Sequence, residues 1–206
     1  MNHYESLARS ATSGSRRAIF LDRDGVINED LGYVSRIEDF RLIDGVVDGL
    51  RALLDLGFSL IIITNQSGIG RGFYTQSDYE ALTAAYTARL SAAGVKLTGI
   101  LHCPHQPADH CACRKPRPGM LFKAGQRWDL DLGQSYLVGD KQSDIDAGTS
   151  AGLRACIRIA PTDATALEGT ATLTARDLRE AARIIRQLVE ATPRGHQPAL
   201  PLLRTP

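Results

Sequence analysis

Short apolar runs in this 206-residue chain stop, again and again, at a residue able to do chemistry. Ala-Ile-Phe-Leu (18–21) stops at Asp22, and Phe58 to Ile63 stops at Thr64. Leu97 to Leu101 is followed by Cys103, and Ser135 to Val138 leads through Gly139 to Asp140. Runs this short and this rich in β-branched residues read as buried strands. Helical patterns separate them: Asp44 to Leu56, a segment capped at Thr75 and ending before Gly94, Pro118 to Trp128, and Ser143 to Ala151. A fifth strand is expected over Arg154 to Ile159, and Leu178, Ala182, Ile185, Leu188 and Val189 mark a last amphipathic helix. Strands alternating with helices predict an α/β fold, a parallel sheet covered on both faces. Ligands of such sheets bind beyond the carboxyl ends of the strands, which is where Asp22, Thr64, Cys103 and Asp140 fall.

The length suits one domain. We expect a flexible N-terminal tail over residues 1–16, a domain over 17–191 and a flexible C-terminal tail over 192–206, where prolines gather. The 24 basic and 23 acidic side chains leave a net charge of +1, so no basic stripe points to nucleic acid. The N-terminal segment lacks an apolar secretory core, and the run around Leu60 to Ile63 is too short to span a bilayer. The expectation is a cytoplasmic monomer with no nucleic-acid or membrane partner.

Asp22-Arg-Asp24-Gly25 puts two carboxylates two residues apart directly after a strand. Asp and Gly also make ordinary turns. The functional reading makes Asp22 a nucleophile, because a carboxylate can take up a phosphoryl group and split ester hydrolysis into two easier displacements. Asp24 would then protonate the leaving oxygen and later activate water. A carboxylate and a phosphate approach each other only with a cation between them. Asp140 supplies a further carboxylate to share Mg²⁺ with Asp22 and with Asp24, the latter through its backbone carbonyl. Asp144 is either part of that pair or an early-helix charge favoured by the macrodipole.

Thr64 to Gly72 offers a hydroxyl, amides and a glycine-rich backbone able to cradle phosphoryl oxygens, and it contains neither a dinucleotide nor a P-loop fingerprint. Arg114-Lys115-Pro-Arg117 places three cations before a helix start. Such a run is often only a solvated face. As a fixed anion site it would set Lys115 against the transferring phosphoryl group and Arg114 against substrate.

Asp22-x-Asp24-Gly-Val, Thr64, Lys115 and Gly139-Asp140, in that order, resemble the four motifs of the haloacid-dehalogenase (HAD) phosphatase superfamily. The resemblance covers about Ala18 to Ile159. It implies a Rossmann-like three-layer sandwich, an aspartyl-phosphate on Asp22, Asp24 as acid/base, Thr64 and Lys115 as phosphoryl ligands, and Asp140 as a magnesium ligand. The spacing between motifs leaves room for only a minimal cap, so the site should be open.

Cys103-Pro-His105 and Cys111-Ala-Cys113 bring four metal-ligand side chains into eleven residues. Three thiolates and an imidazole would close a tetrahedron as a structural Zn²⁺ site, making 103–113 a zinc-bound loop that stiffens the approach to Arg114 and Lys115. His102 and His110 compete with His105 for the fourth position, and His105 is preferred. Cys156 reads as a small core residue. With this cluster, FLDRDGVIN, the downstream Gly-Tyr, TNQSGIGRG, CRKPRPGM and GDK are similar to the D,D-heptose 1,7-bisphosphate 7-phosphatase family of nucleotide-activated heptose biosynthesis for bacterial surface glycans. That likeness implies a small phosphorylated sugar as substrate. It implies substrate contacts from Asp30, Gly32, Tyr33, Asn65, Gln66, Ser67, Arg114 and Lys141. Leu31 departs from the pattern. Histidinol-phosphate phosphatases share the first motif and the zinc loop, so that substrate stays open, as does the preferred anomer.

Overall fold

A computed structural model describes residues 16–160 and 173–191. The expected tails fall on residues outside that range, apart from Arg16. That residue forms a parallel bridge with Leu130, and its carbonyl accepts from Asp131 N–H at 2.8 Å, so pairing begins one residue before the expected start of the domain.

Six strands form one sheet: β1 (Ala18–Leu21), β2 (Ser59–Asn65), β3 (Gly99–Cys103), β4 (Tyr136–Gly139), β5 (Ala155–Ile159) and β6 (Leu173–Ala175). All pairs are parallel, in the order β3-β2-β1-β4-β5-β6. The helices are α1 (Val46–Asp55), the single turn α2 (Ser67–Gly70), α3 (Gln76–Ala92), α4 (Gly119–Trp128), α5 (Gln142–Ser150) and α6 (Leu178–Glu190). Strand β6 was not foreseen, and neither was α2. Strand β3 begins two residues later than expected and runs through Cys103 itself.

The strands read as unbroken apolar runs because both faces of the sheet are covered. Ile19 and Leu21 of β1 point into a core shared with α1, α3 and α6, where Leu50, Leu53, Leu82 and Ile185 pack. Ala18 and Phe20 point the other way, toward Met120, Leu121, Ile145 and Ala147 of α4 and α5. Each such large side chain, fully removed from water, contributes roughly 1.5–3 kcal/mol before entropy is counted. Three layers result, as the alternation predicts. Helix α3 starts with Thr75 accepting from Asp78 N–H while Asp78 accepts from Thr75 N–H, a reciprocal cap.

Register places the chemistry. Leu21 lies level with Ile62 on one side and Val138 on the other. The chain winds outward through β2 and β3 in one direction and through β4, β5 and β6 in the other. The crevice therefore opens above β1, where the winding reverses. Among the described residues its lining comes from strand ends and loops, with Ser67 of the short α2, Pro107 of a 3-10 turn at Pro107–Asp109 and Ser143 of α5. No helix of the described residues is long and apolar enough to cross a membrane.

Candidate active site

Asp22 follows β1, and its N–H donates to the Val138 carbonyl at 3.0 Å, carrying the strand pairing one residue beyond β1. The residue is only 6% exposed, and its carboxylate accepts from the Arg23 N–H at 2.7 Å. Lys115, also buried, sits 3.0 Å from Asp22 Oδ1 and 2.5 Å from Asp144 Oδ1, and donates to the Ile63 carbonyl at 2.8 Å. Burial pushes the Asp22 carboxyl up to about 7; Lys115 opposes that rise, and Asp144 and Asp24 add to it. Burial by itself lowers the Lys115 ammonium, but attraction to Asp22 and Asp144 outweighs it and raises the ammonium above its ordinary value.

Asp140 follows β4. Its carboxylate lies with those of Asp22 and Asp144, with ligand oxygens all within 4.8 Å of one another. Burial raises the Asp140 carboxyl as well. Its Oδ1 is buried with no hydrogen-bond partner, a costly arrangement for a carboxylate that nothing else satisfies. An oxygen-only cluster with an orphaned carboxylate oxygen fits a hard divalent cation. Gly25 (φ +84°) turns the chain beside it, and a Cβ there would stand 2.4 Å from Asp140 Oδ2.

The third carboxylate is Asp144, which lies in the cluster and in the first turn of α5. Its Oδ2 caps α5 by accepting from Lys141 N–H at 3.0 Å, while Oδ1 holds Lys115. The Asp24 carboxylate does not join the cluster. Arg23, wholly buried, grips it through Nε (3.1 Å) and Nη2 (2.8 and 2.9 Å), and Asn28 donates to it at 3.0 Å. Nothing in the sequence singled out Arg23 or Asn28, because charged and amide side chains beside a strand end ordinarily read as solvated.

A cleft of about 510 Å³ opens over these groups. Asp22, Asp24, Thr64, Lys115, Asp30, Gly32, Tyr33, Asn65, Gln66, Ser67, Arg114 and Lys141 all line it, joined by Tyr74, Pro107, Pro116 and Ser143, which the sequence did not nominate. At its rim Lys141 donates to Asp30 at 2.8 Å, which lowers the Asp30 carboxyl, and the exposed rings of Tyr33 and Phe73 meet edge-on at 4.7 Å. Leu31, also exposed, does not line it. Asn65 is spent on scaffolding: its Oδ1 accepts from Lys115 N–H and its Nδ2 donates to the Lys115 carbonyl, both at 3.1 Å.

Cys103, at the end of β3, meets the loop behind Lys115. Its Sγ lies 3.5 Å from Cys111 Sγ and 3.3 Å from Cys113 Sγ, and His105 Nδ1 lies 3.6 Å from Cys103 and 3.3 Å from Cys113. Zn–S bonds of about 2.3 Å give a tetrahedral edge of roughly 3.8 Å, so these four atoms need little movement to hold zinc. All four cysteines are free thiols. The competing histidines are elsewhere. The His102 ring bonds Gln76 at 3.1 Å and packs on Tyr79, and His110 is not among the grouped ligands. The loop reaches the cleft through Arg114, which donates to the His105 carbonyl at 3.3 Å; Arg117, outside the cleft lining, donates to the carbonyl of Cys111 at 2.8 Å. Cys156 lies in the second core, as expected.

A HAD-hydrolase-like family model matches residues 112–181. The D-glycero-alpha-D-manno-heptose-1,7-bisphosphate 7-phosphatase of Photorhabdus laumondii is 45% identical over 150 residues, covering 69% of this chain and 82% of the relative. The chain belongs to the D-glycero-D-manno-heptose-1,7-bisphosphate 7-phosphatase family. A second member of this phosphatase family, named for the beta form of the sugar and from Escherichia coli, is 48% identical over 141 residues, 65% of this chain and 74% of the relative. Among solved structures, the D,D-heptose 1,7-bisphosphate phosphatase of B. bronchiseptica, complexed with magnesium and phosphate, superposes with a TM-score of 0.76 at 31% identity. It covers 85% of this chain and 99% of that one. The heptose-bisphosphate phosphatase family thus supplies both a sequence match and a fold match.

Proposed function

We propose that this chain hydrolyses the C7 phosphate of D-glycero-D-manno-heptose 1,7-bisphosphate to heptose 1-phosphate through an aspartyl-phosphate on Asp22. One observation carries the reading: Lys115 Nζ lies 3.0 Å from a buried Asp22 that shares a three-carboxylate cluster at the mouth of the parallel sheet. That is a nucleophile already facing its charge-compensating cation. Asp22, Asp140 and the backbone carbonyl of Asp24 would hold Mg²⁺, which when bound neutralises charge between nucleophile and phosphate. An Asp22 carboxylate oxygen forms a bond to phosphorus as the bond from phosphorus to the sugar oxygen breaks, and Asp24 gives its proton to that oxygen. Asp24 then takes a proton from water as the water oxygen bonds phosphorus, and cleavage of the acyl-phosphate returns Asp22 and inorganic phosphate.

Thr64 and Lys115 hold the phosphoryl oxygens throughout. Asp30, Gly32, Tyr33, Ser67, Arg114 and Lys141, all on the cleft wall, take the sugar and its second phosphate. Cys103, His105, Cys111 and Cys113 hold a structural Zn²⁺. We read residues 17–191 as one catalytic domain flanked by two tails, working as a cytoplasmic monomer in heptose activation for surface polysaccharide.

Phosphate release with Mg²⁺ from the α and β anomers of heptose 1,7-bisphosphate, compared with histidinol phosphate, tests the assignment. A preference of at least about tenfold in kcat/KM for a heptose bisphosphate is expected; preference for histidinol phosphate overturns it.

A further inference from the structure

Gln66 is 2% exposed, and both ends of its amide are spoken for inside the protein. One Nε2 proton goes to Asp24 Oδ2 at 3.0 Å and the other to Thr64 Oγ1 at 2.8 Å. The carbonyl Oε1 accepts from the Tyr74 hydroxyl at 2.6 Å. A flipped amide would aim its oxygen at the Asp24 carboxylate, which only accepts. Asp24 therefore decides which way Gln66 points, and Tyr74, whose hydroxyl can donate or accept, completes the arrangement by donating to Oε1. Burial pushes the Tyr74 phenol up to about 12, which keeps it a donor across the working range. The ring reaches Gln66 because residue 68 is glycine: a Cβ there would stand 2.1 Å from Tyr74 Cε1. The Gln66 N–H is itself tied to the Cys103 carbonyl at 2.7 Å.

We infer that Gln66, braced by Tyr74, is a positioning residue that couples the acid/base Asp24 to the phosphoryl-binding Thr64, and that it does not contact the sugar. This rests on the mechanism proposed above. Arg23 and Asn28 reach Asp24 from its own loop, whereas Gln66 reaches it from the end of β2. The amide thus links the strand end that carries the acid/base to the one that carries the phosphoryl ligand. By donating to Thr64 Oγ1, it also turns the threonine's own O–H outward as a donor, the role a phosphoryl oxygen requires.

Gln66→Met keeps the shape and removes the hydrogen bonds; Tyr74→Phe removes only the hydroxyl. Each should be assayed on heptose bisphosphate, whose sugar alkoxide needs a proton to leave, and on p-nitrophenyl phosphate, whose phenolate does not. For Gln66→Met we expect kcat on the sugar to fall by on the order of 10- to 100-fold with KM changed less than about 3-fold. Compared as kcat/KM, which ends with phosphoryl transfer to Asp22 and so leaves out the water step the two esters share, the loss on the aryl ester should be at least ~10-fold smaller. Tyr74→Phe should follow in the same direction with a smaller effect, and its unchanged melting temperature keeps the comparison free of misfolding. A raised KM at unchanged kcat would make Gln66 a sugar contact and overturn the inference, as would equal losses on both esters. A wild-type chain that cleaves neither ester would overturn the proposed mechanism, and the inference with it.

Discussion

Lys115 Nζ stands closer to Asp144 Oδ1, at 2.5 Å, than to Asp22 Oδ1, at 3.0 Å. The ammonium is therefore shared between the carboxylate proposed as nucleophile and one to which the proposed mechanism gives no bond-making step. Asp144 also caps α5, so the helix start, the cation and the nucleophile form one buried unit. Its parts fail in different ways when removed.

Asp22→Asn removes the nucleophile without removing the partner that keeps Lys115 satisfied. We expect kcat to fall by at least ~10³-fold while the melting temperature holds or rises, since a carboxyl that burial makes hard to ionise costs little to neutralise. Phosphate release and thermal unfolding check both halves.

Lys115→Met leaves Asp22 and Asp144 buried without their shared cation. Breaking a buried pair from one side costs about 3–5 kcal/mol, so this variant should be both inactive and markedly less stable in urea. Adding Asp144→Asn to it should return part of the stability and none of the activity.

The Asp22 carboxyl, raised from 3.8 to about 7, predicts a pH dependence with a definite sign. Between those values the folded chain binds more protons at this group than the unfolded chain does. Its contribution to stability without metal therefore falls as pH rises from about 4 to about 7, then levels off. A divalent cation needs the ionised form, so its binding releases a proton below that range's upper end. Mg²⁺ should raise the melting temperature more at about pH 8 than at about pH 6, and calorimetry at the lower pH should detect proton release. Equal stabilisation at both values would contradict the assignment.

Cys113→Ser should take bound zinc from about one per chain to near zero by elemental analysis. It should also lower the melting temperature by on the order of 5 °C. Its kinetic effect should fall mainly on KM. Arg114 depends on the cysteine loop through the His105 carbonyl, whereas Lys115 is held independently by Asn65 and Ile63.

What the sequence disclosed follows from burial. Strand β1 was legible because four apolar residues end abruptly at Asp22, and both faces of that strand are covered. Strand β6 was not: Leu173–Ala175 is three residues at the sheet's edge with Thr174 exposed, too short for any period to show. Helix α2, a single turn, left no pattern for the same reason. In the site, residues tied to strand ends were readable. Their supports were not, because Arg23 and Tyr74 owe their roles to partners distant in sequence or hidden from solvent, as with the Val34 carbonyl that accepts from Arg23 Nη2 at 2.9 Å. Asn65 and Gln66 were legible as members of the site but not as its supports. Adjacency to a phosphate loop signals involvement, whereas the direction of an amide is fixed only by tertiary contacts.

Asn65 grips Lys115 by both its backbone N–H and its carbonyl, doing with one side chain what a neighbouring strand would do. The ammonium is in effect bolted to β2, and residues 104–114 run between two anchored ends, fastened near their start to Gly70, which donates to the Pro104 carbonyl at 3.0 Å and accepts from Gln106 Nε2 at 2.6 Å. Under the proposed function, Arg114 takes its place over the cleft from this span, whereas the grip on the Lys115 backbone comes from outside it, so recognition and phosphoryl transfer draw on separate supports.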